Sequence, residues 1–413
     1  MNSAPSKPKN FLSSRKSGVK TIKGSITTPK GFMAFGVASG IKKNGLDLGL
    51  LYSSKKAVCA AFFTTNKVKA APVLICIPRV KKPYHRAVII NSGCANCLTG
   101  KKGIQDADLI CKKTAALLGV SKEEVLPCST GVIGKGLDTK KIISKLSQLV
   151  KGLSVKGAKA MVRAIMTTDT FPKEVACEVK VGKLKFKIGA ATKGAGMISP
   201  KMATTLCVVT TDAAIDKKTL RLAAKEAVEN SYNCITVDGD MSTNDTFICL
   251  ANGASGVRIK PGTKAFIEFK EVLKFVALEL AKMIVKDGEG ASKFIEIDIV
   301  GAKTKQQARK IAFGVANSSL VKTAIYGEDP NIGRIASACG ASDNKLKQEK
   351  LDIYLQGKQV VKNGAACETK GIRNIFKKDY IKIKCNLNSG KAWQKVFTTD
   401  LTPEYVRLNA EYS

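Results

Sequence analysis

Apolar and polar residues follow two periods along this chain, and the two periods alternate from one end to the other. Runs rich in β-branched residues predict strands, whereas apolar residues spaced three and four apart predict amphipathic helices. The predicted strands are 46–52, 57–65, 73–77, 88–90, 204–211, 295–300, 351–355, 380–387 and 393–398, with a further one starting at 235. The predicted helices are 106–118, 156–165, 219–230, 271–285 and 305–316, with a further one starting after residue 138. Asp138 and Asp216 are suitable capping residues for the helices that follow them.

Residues 193–213 change character halfway. The first half contains two glycines and a proline, which are typical of loops because Gly frees φ and Pro removes a donor. The second half, 204–211, is rich in β-branched residues and predicts a buried strand. Thr204 therefore lies where a loop passes into a strand, with a hydroxyl that the sheet would hold and the loop side would leave reachable. By itself this pattern favours a Thr that merely begins a strand.

Length and charge limit the number of domains and the kinds of partner that the chain can have. With 413 residues, 44% of them hydrophobic and 25% charged, the chain is long enough for a large core and two domains. No run approaches the roughly 20 apolar residues of a membrane helix, so no membrane partner is expected. The formal charge of +36 suggests nucleic acid first, but aromatic residues make up only 6% and the lysines are spread over every segment. We interpret the charge as a solvated surface bias without a specific nucleic-acid partner.

Cysteine and histidine usage limits the possible chemistry. The chain has 13 cysteines and no secretory signal peptide, which predicts reduced thiols in an intracellular compartment. Cys94 and Cys97 form a CxxC pair, but no second pair at zinc spacing accompanies it, and a redox role is the minor alternative. The single histidine, His85, is best explained as a structural residue, and no GxSxG elbow is present. Any catalysis is therefore expected to use another base.

The first 24 residues are rich in Ser and Lys and lack acidic residues. This composition predicts a disordered basic tail, with a transit peptide as the alternative. The expected location is the cytoplasm, or an organellar matrix if the tail is a transit peptide.

Several polar stretches are candidates for chemistry. Thr130 and Gly131 lie in a loop-like stretch where a hydroxyl and backbone N–H groups could converge on an oxyanion, although a simple tight turn fits the residues as well. Asp238, Asp240 and Asp245 are close together in sequence, which suggests a cation site, but their spacing is not that of an EF-hand. We interpret these aspartates as turn and hydrogen-bond network residues, with no metal.

The stretch from Lys193 to Thr204 resembles the self-cleavage segment of the ArgJ family, the ornithine acetyltransferases (glutamate N-acetyltransferases) of arginine biosynthesis. The family pattern Lys-Gly-x-Gly-Met-Ile-x-Pro-x-Met-Ala-Thr matches without a gap, and the resemblance covers roughly residues 25–413. It implies an α/β (α+β) fold of the DmpA/ArgJ-like kind, with stacked β-sheets flanked by helices. The implied domains are a catalytic domain, 25–294, and a smaller C-terminal α+β domain, 295–413, whose tail returns to the active site.

The resemblance also implies the chemistry. The hydroxyl of Thr204 attacks the carbonyl of Ala203 and the chain is cut between them, giving chains 1–203 and 204–413, two of each in a heterotetramer. Thr204 is then the nucleophile, and its free α-amine, with an intrinsic pKa near 8, is a base that needs no histidine. The processed enzyme moves acetyl from N-acetylornithine to glutamate by a ping-pong mechanism. No resident cofactor is implied; acetyl-CoA is a donor for some members, and no CoA-binding motif is visible here.

The same resemblance assigns site residues. Thr130 and Gly131 form the oxyanion hole, Lys193 binds the substrate α-carboxylate, and Glu289 holds the amino group of the substrate. The implied substrate-binding residues are, in full, Thr167, Lys193, Thr204, Glu289 and Asn409. The alternatives without a function are a helix-ending turn for Thr167 and one more surface lysine for Lys193.

The chain departs from the family pattern at three places. Cys94 stands where the family usually has Asn, and Ile332 where it has Trp, which is expected to loosen packing beside the site. The family uses a hydroxyl residue five positions after Asn409, whereas this chain ends four positions after it, at Ser413. Two other classes remain open: an aminopeptidase or amidase with the same N-terminal Thr chemistry on a related fold, and a basic binding protein without activity.

Overall fold

The structure, a computed structural model, describes residues 19–199, 205–368 and 371–411. The strands are β1 (Val19–Ile22), β2 (Phe32–Val37), β3 (Leu48–Phe63), β4 (His85–Cys94), β5 (Val125–Val132), β6 (Lys173–Val181), β7 (Leu184–Lys193), β8 (Leu206–Thr211), β9 (Ala214–Ile215), β10 (Thr246–Ala251), β11 (Arg258–Ile259), β12 (Phe294–Ala302), β13 (Asp352–Leu355), β14 (Lys358–Lys362), β15 (Ala365–Ala366), β16 (Tyr380–Asn386) and β17 (Ala392–Thr399). The helices are α1 (Ala71–Arg79), α2 (Gly100–Leu118), α3 (Thr139–Lys151), α4 (Ala158–Ile165), α5 (Lys217–Glu229), α6 (Lys264–Lys286), α7 (Lys305–Ala316), α8 (Ser319–Tyr326), α9 (Ile332–Ser342), α10 (Arg373–Phe376) and α11 (Pro403–Ala410).

The long strand β3 belongs to both halves of the N-terminal sheet. Its first part pairs antiparallel with β2 and β4, and β4 continues in parallel to β5. Its second part pairs with β10, from which the order runs on through β8, β7 and β6 to β1. The register between β3 and β4 shifts between Tyr52 and Ala57, where the strand passes from one half to the other. One continuous strand therefore carries two sheet halves.

The two halves stack on a shared apolar core. Leu51, Val88 and Leu126 from one half and Val208 and Ile248 from the other belong to one buried cluster, together with side chains of α4. Helices α5 and α6 cover the outer face of the half that contains β6–β8 and β10. Helices α2 and α3 cover the outer face of the half that contains β4 and β5. The predicted α/β class with stacked sheets flanked by helices is confirmed.

A second sheet forms the C-terminal part, with strand order β15-β14-β13-β16-β12-β17. Helices α7, α8 and α9 bury their apolar faces against it. Phe397 on β17 instead packs into the cluster under α6, which joins the two parts. Ile332 is half-buried and lines a cavity of about 420 Å³ between α9 and β14, within this C-terminal part. Any loosening caused by its smaller side chain therefore acts on the C-terminal core, not on the site expected from sequence.

Several predicted elements are confirmed. The strand predicted at 204–211 is β8 over its described residues, and each of its side chains is buried. Asp138 accepts a hydrogen bond from Lys141 N at the start of α3, and Asp216 accepts one from Thr219 N at the start of α5. Helix α7 has the predicted bounds. No helix in the described ranges combines the length and apolarity that crossing a membrane requires.

Three predictions about elements are wrong. Residues 73–77 form helix α1, because Pro72 suits the first helical turn and a short apolar run does not distinguish a strand from a buried helix. Residues 127–132 belong to strand β5, since their backbone pairs with β4. From residue 235 there is only an isolated bridge between Ile235 and Phe397.

The predicted disordered tail, 1–24, is wrong at its end. Residues 19–22 form β1, which pairs antiparallel with β6 from Val19 opposite Val179 to Ile22 opposite Ala176. Local composition could not show this pairing, because the partner strand lies far along the chain. The earlier part of the tail lies outside the described residues.

Candidate active site

The predicted oxyanion residues lie at the end of β5. Thr130 is buried, and Gly131 follows it with φ of 129°, a conformation that favours glycine. A Cβ atom built on Gly131 would lie 2.3 Å from the carbonyl carbon of Gly93 on the neighbouring strand β4. Only a residue without a side chain fits this contact. The close parallel pairing of β4 and β5 thus fixes the backbone next to the Thr130 hydroxyl.

Lys193 brings a buried ammonium group to that hydroxyl. It is the last residue of β7, is 4% exposed, and its Nζ donates a hydrogen bond to Thr130 Oγ1 over 3.2 Å. Burial lowers the pKa of Lys193, and the carboxyl groups of Asp169, Glu289 and Asp245 act against that shift. Lys193 is therefore not a surface lysine, and that alternative interpretation is wrong.

A buried ionic network supports the approach to Lys193. Lys173, fully buried, donates to Asp169 over 2.6 Å and to Asp287. Asp169 in turn accepts from the backbone N–H of Thr167 over 3.0 Å and from that of Gly194 over 2.7 Å. Burial by itself would raise the pKa of Asp169, but the charges of Lys173 and Lys193 and the Gly194 N–H lower it to about 2. A carboxylate thus holds the main chain at Thr167 and directly after Lys193.

The loop after Lys193 is fixed by a second carboxylate. Asp238 accepts hydrogen bonds from the backbone N–H groups of Met197 over 2.6 Å and Ile198 over 2.8 Å. The N–H of Glu289 donates to the carbonyl of Ala195 over 3.0 Å. Burial is the main reason why the pKa of Asp238 is raised to about 6. Residues 194–198 are therefore bound by main-chain hydrogen bonds from two other parts of the chain.

Glu289 faces this loop from just beyond the end of α6. A Cβ atom on Gly196 would lie 2.2 Å from its carboxylate oxygen Oε2, so the loop and the carboxylate are in direct contact. Asn409, on α11, donates from Nδ2 to the same oxygen over 2.9 Å. Thr402, at the start of that helix, donates its hydroxyl to the carbonyl of Gly290 over 2.7 Å. The C-terminal helix therefore contacts the segment that carries Glu289.

Ala203, Thr204 and Ser413 lie outside the described residues. Directly after the predicted cut, the N–H of Thr205 donates to Asp245 Oδ1 over 2.8 Å. This hydrogen bond agrees with the interpretation of Asp245 as a turn and hydrogen-bond network residue.

The charged residues that hold the site together cannot be recognised from the sequence. Lys173, Asp169 and Asp287 looked like ordinary polar positions, although Asp169 lies in the Thr-Thr-Asp run after Thr167 and Asp287 in the run before Glu289. Nothing local distinguishes a buried lysine from the many exposed ones. Their pairing depends on contacts between distant segments.

The departure at Cys94 lies beside the oxyanion residues. Cys94 is buried, and its backbone pairs with Thr130 and Val132 across the two strands. Burial is the main reason why the pKa of its thiol is raised, so the thiol is neutral.

The sole histidine, His85, is buried at the start of β4 and its Nε2 is 3.0 Å from the carbonyl oxygen of Arg79. One nitrogen of its ring is thus bound to the main chain, and burial lowers its pKa to about 4.

Most of the site residues expected from the sequence are connected by hydrogen bonds in the structure. Hydrogen bonds link Lys193 to Thr130 and Glu289 to Asn409. Asp169 links the backbone of Thr167 to that of Gly194, the residue after Lys193. The cluster combines a buried ammonium, a hydroxyl, a tight glycine backbone and a carboxylate next to a glycine-rich loop. Such a set can bind a zwitterionic amino acid and stabilise an oxyanion.

Comparison with known proteins gives a consistent result. The model of the ArgJ family matches residues 33–413. The arginine biosynthesis bifunctional protein ArgJ of Caldanaerobacter subterraneus subsp. tengcongensis is 44% identical over 401 residues, which cover 95% of this chain and 100% of that protein. The glutamate N-acetyltransferase of Methanocaldococcus jannaschii is 43% identical over 413 residues, covering 96% and 100%.

Among solved structures, the chain is similar to ornithine acetyltransferase from Mycobacterium tuberculosis complexed with ornithine. The identity is 35%, the match covers 46% of this chain and 100% of that chain, and the TM-score is 0.41.

Proposed function

This chain belongs to the ArgJ family, and we propose that it cuts itself between Ala203 and Thr204 and then transfers acetyl from N-acetylornithine to glutamate. It is an acyltransferase of arginine biosynthesis, the class to which its relatives belong. The cut and the transfer use the same hydroxyl, that of Thr204, in two successive reactions.

The first reaction is an N-to-O acyl shift. The hydroxyl oxygen of Thr204 attacks the carbonyl carbon of Ala203, the bond from that carbon to the Thr204 nitrogen breaks, and the hydroxyl proton passes to the nitrogen. Water then hydrolyses the ester, which leaves a carboxylate on Ala203 and restores the hydroxyl. Thr204 now carries a free α-amine, whose intrinsic pKa near 8 suits a general base at neutral pH.

The second reaction is ping-pong acetyl transfer. The Thr204 hydroxyl takes acetyl from N-acetylornithine and ornithine leaves; glutamate then takes the acetyl group and leaves as N-acetylglutamate. The oxyanion of each tetrahedral intermediate is assigned to Thr130 and Gly131. Fixed donors of this kind each contribute about 3–4 kcal/mol to transition-state stabilisation.

Substrate binding is assigned to the charged groups of the same cluster. Lys193 binds the α-carboxylate, Glu289 binds the amino group, and Thr167 and Asn409 complete the contacts. A buried ammonium is suited to a carboxylate because charge-assisted hydrogen bonds are about twice as strong as neutral ones. The α-carboxylate would thus replace the neutral hydroxyl of Thr130 as a partner of Lys193, or share Lys193 with it.

One observation carries the proposal. The ammonium of Lys193 contacts the Thr130 hydroxyl over 3.2 Å, although the two residues come from separate strands 63 positions apart. This contact joins the start of the predicted cleavage motif to the predicted oxyanion residues. Hydrogen bonds to the carboxyl groups of Asp169 and Asp245 then hold the main chain at Gly194 and at Thr205, on the two sides of the predicted cut.

The remaining assignments complete the proposal. We assign two chains 1–203 and two chains 204–413 to a heterotetramer located in the cytoplasm. Substrates are the small molecules N-acetylornithine and glutamate, without a specific nucleic-acid partner. We assign no resident cofactor. An assay with acetyl-CoA and glutamate, in the absence of N-acetylornithine, tests whether this chain also uses that second donor.

The test combines intact mass with transfer assays on the purified full-length protein. We expect two chains, the second beginning at Thr204, and formation of N-acetylglutamate only when both substrates are present. Thr204→Ala is expected to abolish both cutting and transfer, whereas Thr211→Val, at the other end of β8, is expected to leave both intact.

Other outcomes would contradict the proposal. A wild-type chain that stays at 44.1 kDa would exclude self-cleavage. Cutting that persists in Thr204→Ala would assign the nucleophile to another residue. Hydrolysis of peptides without acetyl transfer would favour the aminopeptidase or amidase alternative.

A further inference from the structure

Asp245 carries a buried carboxyl group, and only one of its two oxygens has a hydrogen-bond partner in the described residues. It directly precedes β10 and is fully buried. Oδ1 accepts the Thr205 N–H over 2.8 Å, but Oδ2 has no hydrogen-bond partner among the residues that the structure describes. A buried carboxyl oxygen without a partner is costly, so its presence calls for an explanation.

The fold fixes the position of Asp245. Its carbonyl accepts the N–H of Thr64 over 3.0 Å, at the end of β3. The side-chain amide of the preceding Asn244 donates to the carbonyls of Ala95 over 2.7 Å and Ser129 over 2.8 Å. The main chain that carries the carboxyl group is therefore held in place on both sides.

The surroundings of Asp245 favour its neutral form. Burial raises its pKa well above the ordinary value, while the Thr205 N–H and the charge of Lys193 act in the opposite direction. Lys193, on β7, is the charged side chain that acts on Asp245 within the described ranges, and Lys193 itself faces Asp169, Lys173 and Glu289. A second positive charge beside Asp245 would therefore stabilise its carboxylate.

We propose that Asp245 is the hydrogen-bonding and ionic partner of the α-amine that the cut creates at residue 204. Thr205, whose N–H binds one oxygen of Asp245, is covalently joined to Thr204, so the new amine belongs to the residue next to the one that Asp245 binds. This assignment rests on the proposed cut between Ala203 and Thr204. It adds a positioning residue to the proposed machinery.

The proton balance of this pair is simple. In the uncut chain the carboxyl group holds its proton; when the C–N bond has broken and the amine is free, that proton passes to the amine and leaves a carboxylate beside an ammonium. The ammonium then releases this proton to solvent, which leaves the free amine beside the carboxylate. During transfer the free amine takes the proton of the Thr204 hydroxyl and gives it to the leaving ornithine. The Asp245 carboxylate stabilises the ammonium that exists between these two steps, as a third group orients the base in other nucleophile–base pairs.

Asp245→Asn tests the proposal because asparagine keeps the shape and the acceptor for Thr205 N–H but cannot carry a negative charge. We expect slower cutting and a kcat/KM for acetyl transfer at least about tenfold lower. In addition, the acidic limb of the pH profile of kcat/KM should move to lower pH, by about one unit. The sign follows because a carboxylate raises the pKa of a neighbouring ammonium, and the active form is the free amine.

Asp212→Asn is the matched control. Asp212 lies at the other end of β8, is also buried, and accepts two backbone N–H groups, from Lys187 over 2.8 Å and Lys30 over 2.9 Å. We expect it to lower thermal stability while cutting and the pH profile stay as in the wild type. A purely structural role of Asp245 would give the same pattern in Asp245→Asn, and this result would overturn the proposal.

Two further results keep the test decisive. If Asp245→Asn does not fold, Asp245→Glu, which keeps the charge, is expected to cut and to retain the acidic limb at its wild-type position; a displaced limb would overturn the proposal. A wild type that cuts and transfers while Asp245→Asn has an unchanged pH profile overturns only this inference. A wild type that is not cut overturns the proposed function as well.

Discussion

At its far end, strand β8 finishes with Thr211 and is followed by Asp212, and every polar side-chain atom of these two residues has a hydrogen-bond partner. The Thr211 hydroxyl donates to the carbonyl of Lys187 over 2.8 Å and accepts the N–H of Ala213 over 3.2 Å. Both oxygens of Asp212 accept backbone N–H groups. At its near end, the strand is preceded by Thr205, opposite Asp245, and here the Thr205 hydroxyl and one Asp245 oxygen have no partner in the described residues.

All four side chains are almost completely buried, so burial does not explain the difference between the two ends. A satisfied buried carboxylate contributes to stability because it exchanges water for fixed N–H donors. An unsatisfied one reduces stability, and such groups are concentrated at functional sites. The comparison therefore assigns the far end to the fold and the near end to chemistry, independently of the sequence motif.

The largest effect is expected from Thr130→Val, which removes the hydroxyl that Lys193 contacts but keeps the shape of the side chain. If this hydroxyl stabilises the oxyanion, kcat should fall by about 10²–10³-fold with little change in stability. Steady-state acetyl transfer measures kcat, and urea unfolding measures stability.

Thr211→Val is the control variant at the far end of β8. Its free energy of unfolding is expected to be about 1–3 kcal/mol lower, with kcat unchanged. Equal losses of stability and unchanged kcat in both variants would abolish the distinction.

A smaller effect is expected from Glu289→Gln. The ammonium of the substrate would lose its fixed anion, whereas the amide keeps the size of the side chain and its contact with Gly196. KM for N-acetylornithine should therefore rise by about 10–100-fold, corresponding to about 1.4–2.8 kcal/mol, with a smaller change in kcat. Initial rates over a range of N-acetylornithine concentrations check this. Asn409→Ala, which removes only the donor to Glu289, should give a smaller rise; a KM unchanged in Glu289→Gln would contradict the assignment.

The smallest effect concerns the pH dependence of stability. Burial is the main reason why the pKa of Asp238 in the folded chain is raised from 3.8 to about 6; Asp240 adds to the shift, and Tyr405 and Lys322 also face this carboxyl. Below about pH 4 the carboxyl is protonated in both states. Between pH 4 and 6 the unfolded chain releases the proton first, so stability falls as pH rises, by about 1–2 kcal/mol for this half-buried group.

Urea unfolding at several pH values would measure this loss. The difference in unfolding free energy between the wild type and Asp238→Asn should change between pH 4 and 6 and stay constant above that window. A difference that is constant throughout would show that Asp238 has an ordinary pKa.

Much of the fold followed from local pattern. The apolar periodicity gave β8 and α7 and the side-chain caps gave the starts of α3 and α5, because these features depend on residues within one or two turns of each other. Helix α1 was predicted as a strand, since its run of apolar residues satisfies either structure and only its packing decides. The pairing of β1 with β6 was missed for a related reason: an edge strand without strong apolar alternation is specified by its partner.

By itself, the sequence determined the family resemblance, the motif that ends at Thr204 and most of the candidate site residues, because a long gap-free motif is a local property of the chain. Only the tertiary structure decided which charged groups support that site. The hydrogen bond from Thr205 to Asp245 joins residues 40 positions apart, and the contact of Lys173 with Asp287 joins residues 114 positions apart. Burial and partnership of a charge depend on which segments pack together, and a lysine or an aspartate looks the same in the sequence whether it lies in water or beside a buried amine.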